Sequence, residues 1–215
     1  MDREKELSAA KQFAAEKLGS SGGCHDFDHT LRVLANAEML LKDLPEADGF
    51  CVRMAVLLHD IARPEEDASN GGASHAVLGA EYAADYLEKR GFSCGLAEKI
   101  CSAVRRHRFR DQDHPQSIEE KIVFDADKLD SLGAVGVGRA FLFAGKCGAR
   151  LHNSSADALN SEAYSLQDTA YREYLIKLKK LPQVIQTEPA RKIAADRLKV
   201  MQEFFDNLCQ ETGLR

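Results

Sequence analysis

The sequence has no Trp, 7% aromatic residues and five Pro in 215 positions. Its core must therefore be built from Leu, Ala, Val and Ile. Apolar runs are no longer than stretches such as Met54 to Leu58 (MAVLL), far below the ~18 residues of a membrane span. The N-terminal MDREKELSAAKQF is charged from its second residue and lacks the apolar centre of a signal peptide. A cytoplasmic protein without a membrane partner is expected. None of the six Cys forms a C-x-x-C pair, which argues against a zinc ribbon or a thioredoxin-like motif; reduced thiols in a cytosolic core are expected. There is no basic excess either. The net charge of -5 argues mildly against a nucleic-acid polymer as partner, yet leaves room for a small anionic substrate.

The balance of 44% hydrophobic and 29% charged residues is that of a globular chain. Apolar residues recur three or four apart, and the pattern predicts an all-α fold. Helices are expected over 3–18, from Asp26 or Asp28 to Pro45, and over 50–61, 74–89 and 95–107. A further one follows Ser117, whose pairing with Glu120 is a capping-box pattern. GSSGG (19–23), 64–72, 111–117 and 150–162 read as loops, the last as a mobile one. Two long helices, about 163–181 and 188–210, close the chain. The Gly-spaced stretch 133–148 reads equally as close helix packing or as a substrate-facing wall. Residues 1–215 are read as one helical domain with a core at about 20–145 and a C-terminal helical extension at 150–215.

Three short segments concentrate ligand-type residues. LLHDIAR (57–63) ends an apolar helix in the adjacent pair His59-Asp60. A cation would satisfy both where desolvating a carboxylate is costly; an exposed Asp at a helix end is the plain alternative. In HDFDHTLRVL (25–34), His29 shares a helix face with Val33 and reads as a core histidine or a ligand. IVFDADKLDSLG (122–133) carries Asp125, Asp127 and Asp130 on an apolar helix. Asp127 and Asp130 lie three apart on one face; carboxylates beside Val123, Phe124 and Leu129 call for a cation, with a solvated helix face as the plain alternative for Asp125.

Taken together, H-x-x-R-V at 29–33, LLHDIAR at 57–63 and DADKLDSLGA at 125–134 resemble the HD-domain superfamily of metal-dependent phosphohydrolases. The resemblance covers about 20–145 and implies a helical HD bundle. It also implies one divalent ion on His29, His59, Asp60 and Asp127, a mixed N/O ligand set that does not choose among Mn, Fe, Co, Ni, Zn or Mg; the additional C-terminal helices at 150–215 lie outside the resemblance. Asp127 is preferred because the family's last Asp precedes a basic residue and Leu, here Lys128-Leu129. His75 and His107 match in outline the positions where some members place ligands of a second metal, although a neighbouring second His is Arg108 here. The alternative for both is contact with substrate. Asp130 is a candidate support for the ligands, and His25 a candidate proton-handling group; His114 and His152 read as solvated.

The implied activity is hydrolysis of a phosphate ester or phosphoanhydride of a small molecule, with a nucleotide the leading candidate. Asp60 is its catalytic centre. Glu65 and Glu66, just beyond the HD pair, are candidates for the general acid or base, or a solvated acidic loop. Arg63, Arg108 and Lys128, with Arg105 and Arg106 nearby, could hold phosphate oxygens. Two other readings remain at this level: a non-catalytic metal-binding sensor or interaction module, with the last helices as a dimer surface, and a di-iron oxygenase.

Overall fold

A computed structural model describes residues 1–19, 26–69, 72, 74–108 and 113–213. His25, Cys24 and the expected break beyond Gly19 lie outside the described residues. The described residues are helical and contain no strand. No helix among them is long and apolar enough to cross a membrane. The contacts fall into two compact units, Met1–Asp127 and Lys128–Arg215.

In the first unit, α1 (Arg3–Leu18), α2 (Phe27–Asp43) and α6 (Cys94–Arg105) pack against α3 (Gly49–Leu58). Helix α3 is the unit's centre because it is apolar on every side. Eight of its ten residues are buried, from Phe50 to Leu58, with Arg53 as the polar exception. Arg53 is fork-paired to Glu38 at 2.5 and 2.8 Å. The Asp48 carboxylate accepts from the backbone N–H of Phe50 and Cys51 and so satisfies two of the four free donors at that end. Cys51 is buried there, and burial pushes its thiol up to about 12, which leaves it unreactive.

Helix α5 (His75–Lys89) packs on α6, and a short helix α4 (Arg63–Ala68) packs on α5. Helix α3 was expected to run to Ile61 and to be followed by a loop over 64–72. Instead it stops at Leu58, and 63–68 is helical. The reason lies in RPEE. Proline within the first turn starts a helix rather than ending one, and Glu65 and Glu66 in that turn favour the positive end of the helix dipole. Helix α7 (Ile118–Asp130) begins with the expected capping box. Glu120 N–H donates to Ser117 Oγ at 3.2 Å, and Ser117 N–H donates back to the Glu120 carboxylate at 3.3 Å. The Asn36 amide of α2 donates to the Ala126 carbonyl at 2.9 Å. That bond ties the end of α7 to α2.

In the second unit, α8 (Gly133–Lys146) packs on α11 (Glu188–Thr212) and on α10 (Ala170–Ile176). Phe205 is its aromatic centre, with ring centroids 4.6 Å from Tyr174, 5.3 Å from Phe204 and 5.7 Å from Tyr171. The expected helix over 163–181 is replaced by α10 and a 3₁₀ turn, Leu178–Gln183. Thr169 delays the start of α10, its hydroxyl accepting from Arg172 N–H. Pro182 sits inside the 3₁₀ turn, where it offers no N–H for an α-helical bond. The expected loop at 150–162 contains α9 (Ser155–Asn160), capped by Ser154. The Gly-spaced stretch divides. A Cβ on Gly136 would lie 2.3 Å from the Ser131 carbonyl oxygen, so close packing governs there, whereas one on Gly138 would meet nothing.

Candidate metal centre

His29, His59, Asp60, His75, His107 and Asp127 each sit at or beside a helix end, whereas Asp125 is buried within α7 rather than solvated. His29 lies in the first turn of α2, where Asp26 caps it by accepting from the His29 N–H at 3.0 Å. His59 and Asp60 follow α3, His75 opens α5, His107 follows α6 and Asp127 lies in the last turn of α7. Helix ends leave backbone groups unpaired, and side chains there point past the last turn into a shared space.

The four imidazoles form a row. Ring centroids are 5.3 Å apart for His29 and His59, 5.0 Å for His59 and His107, and 5.1 Å for His75 and His107. Nε2 of His59 is 3.3 Å from Nε2 of His29, and Nε2 of His75 is 3.1 Å from Nε2 of His107. The Asp60 carboxylate divides between these pairs. Its Oδ2 is 3.6 Å from both His29 and His59, and its Oδ1 is 3.3 Å from His75 and 3.6 Å from His107. Asp127 Oδ1 is 3.4 Å from His29. Two overlapping sets, His29 with His59 and Asp127, and His59 with Asp60 and His107, each have ligand atoms close enough to hold one metal ion.

The donor set fits a divalent cation. His59 Nδ1 lies 2.7 Å from the Val56 carbonyl and His107 Nδ1 lies 2.5 Å from the Val104 carbonyl. A carbonyl only accepts, so both Nδ1 atoms carry hydrogen. His75 Nδ1 meets the Glu66 carboxylate, which imposes the same tautomer. In each neutral ring the lone pair is then on Nε2, turned toward Asp60. Burial keeps His59 and His75 neutral, lowering them to about 4 and about 2. Lone pairs facing each other beside buried carboxylates repel, and a shared cation removes that repulsion.

The basic side chains separate. Arg63 lies 3.7 Å from Asp60 and 3.0 Å from Glu66, and Arg108 lies 3.0 Å from Glu66 and 3.3 Å from Ser74 Oγ. Arg105 and Arg106 turn to Asp113 instead, and Arg106 also reaches Glu120 at 2.9 Å. Lys128 is buried and belongs to the second unit, as does Asp130, whose carboxylate pairs with Arg139 of α8 at 2.7 Å. Glu65 faces Tyr82 of α5, which hydrogen-bonds it. His152 is half-buried in the second unit, and His114 is exposed.

Two participants escaped the sequence reading, the carbonyls of Val56 and Val104. Their signal was present as a repeated Val-x-x-His at the end of an apolar helix, VLLH at 56–59 and VRRH at 104–107.

Comparison with known proteins shows the family. The HD domain family matches residues 26–132. The uncharacterized protein YpgQ of Bacillus subtilis is 32% identical over 211 residues, which cover 95% of this chain and 94% of that protein. The crystal structure of B. subtilis YpgQ in complex with ADP superposes with a TM-score of 0.73 at 27% identity, covering 98% of this chain and 97% of that one. The crystal structure of a predicted HD-superfamily hydrolase from an uncultured Thermotogales bacterium gives 0.67 at 30% identity, covering 95% and 92%. With the motifs in order, the imidazoles gathered on Asp60 and a full-length relative at this identity, the chain belongs to the HD-domain superfamily and has its hydrolase fold.

Proposed function

We propose that this protein is a metal-dependent phosphohydrolase that cleaves a phosphate ester or phosphoanhydride bond of a nucleotide at a centre of two divalent ions. The observation that carries the reading is the division of Asp60, with Oδ2 beside His29 and His59 and Oδ1 beside His75 and His107. A carboxylate so placed is a natural bridge. His29, His59 and Asp127 would hold one ion, His75 and His107 the other. The ADP in the YpgQ crystal supports a nucleotide as the ligand. In such a site, bound divalent ions supply an acidified water, its pKa lowered from 15.7 toward ~7, and a polarised phosphoryl oxygen.

The chain's own residues do the rest. His59 and His75, held neutral by burial, present Nε2 without first losing a proton. Asp127 is the least covered of the group, with its side chain 16% exposed against 2% for Asp60. Arg63 and Arg108 stand next to the row with planar, permanently charged forks suited to phosphate oxygens.

The experiment is metal analysis of the purified protein, with turnover of an aryl phosphate and a nucleotide panel in Mn, Co, Ni, Fe or Mg. Two ions per chain with nucleotide turnover are expected, and Asp60→Asn should abolish turnover and lower metal content. Full activity in that variant would refute the reading.

A further inference from the structure

The histidines of the centre are oriented in two different ways. His59 and His107 follow the C-terminal ends of α3 and α6, where the last carbonyls of a helix have no intrahelical donor. The carbonyls three residues back, Val56 and Val104, receive their Nδ1–H. Backbone does that work, and no substitution elsewhere removes it. His75 opens α5. The N-terminal end of a helix offers free N–H groups and no free carbonyl, so its Nδ1–H must find a side chain. That side chain is Glu66.

Glu66 is buried and receives two further donors. Arg63 reaches Oε2 at 3.0 Å and Arg108 reaches Oε1 at 3.0 Å. The three partners come from the start of α4, the start of α5 and the residue after His107. One carboxylate therefore joins the segments that carry Asp60, His75 and His107. Three donors converge on it, two of them guanidinium groups. This separates it from its neighbour Glu65, which faces Tyr82.

We infer that Glu66 is a positioning residue, holding His75 in the Nδ1–H form so that Nε2 faces Asp60, and that the His75–His107 half of the centre depends on it. The inference rests on the two-ion reading above. Carboxylate partners of ligating histidines fix the tautomer and ring direction, and losing one weakens metal binding by roughly 10–100-fold.

The test uses the full chain with Mn²⁺ as the probe. Calorimetric titration of wild type should show two ions. Glu66→Ala should leave one site near its wild-type affinity and weaken the other by roughly 10–100-fold. His75→Ala should lose the same site, and the double variant should lose nothing more, as expected for residues acting through one contact. Glu66→Gln, of the same shape, guards against a folding defect in Glu66→Ala. It should show a smaller loss. A second measurement needs no metal. In ¹⁵N spectra of the metal-free protein, His75 should be the Nδ1–H tautomer in wild type, lose that form in Glu66→Ala and largely keep it in Glu66→Gln, whose side-chain carbonyl still accepts from Nδ1–H. Two sites of unchanged affinity in both variants, or a single site in wild type, would overturn the inference. If wild type bound no Mn²⁺, the functional reading and the dependence of a second site on Glu66 would both fall. An unchanged His75 tautomer in Glu66→Ala would overturn the positioning role by itself.

Discussion

Acid should destabilise the metal-free protein early, with His59 and His75 contributing a large part of the effect. His59 and His75 are lowered from an ordinary value of 6.5 to about 4 and about 2, with burial the main cause. A folded-state value below the unfolded one means that the unfolded chain takes up the proton first. The stability these rings contribute is thus fully present above about pH 6.5. It drains away as the pH falls, at about 1.4 kcal/mol per pH unit for each ring, until the folded-state value is reached. Between pH 7 and pH 5 each ring loses about 1.5 units of this, or roughly 2 kcal/mol, and the pair loses roughly 4 kcal/mol. Against a typical total of about 5–15 kcal/mol, that is a large share. The assay is urea denaturation of chelator-treated protein at half-unit steps from pH 8 to pH 4.5. His59→Gln and His75→Gln should each make the slope shallower, and the double variant more so than either. A double variant with the wild-type slope would refute the argument, because the acid sensitivity would then lie outside the imidazole row.

Two further predictions concern the frame around the centre. Gly136→Ala should destabilise the second unit by about 1–3 kcal/mol, because its Cβ meets backbone. Gly138→Ala, with open space at its Cβ, should be neutral or stabilising by up to about 1 kcal/mol. Thermal melts of the two variants side by side check this, and equal shifts would contradict it. Ser117→Ala should cost about 1 kcal/mol through loss of the cap on α7, read as a lower urea midpoint with an unchanged m-value.

The features legible in the sequence were those set by short-range physics. Periods of three and four placed α1, α2, α5 and α11, the Ser117–Glu120 box placed the start of α7, and the order of His and Asp motifs indicated the family. Misreadings arose where a local signal has two meanings. Pro64 reads as a stop for the helix before it and serves as the start of α4. Thr169 and Pro182 break what periodicity alone joins into one helix. Glu65 and Glu66 are adjacent and chemically the same, so no sequence rule separates them; on α4 one turns toward His75 and the other toward Tyr82.

By itself the sequence picked out a set of ligand-type side chains and placed the His59-Asp60 pair at the end of an apolar helix. Tertiary structure decided how they meet. The two oxygens of Asp60 could be divided between two histidine pairs only once α2, α3, α5 and α6 had converged, and the Nδ1–H of His75 found its acceptor only when α4 brought Glu66 beside it. Those choices follow from the relative placement of helix ends, which depends on packing across the whole unit and leaves no trace in any local pattern.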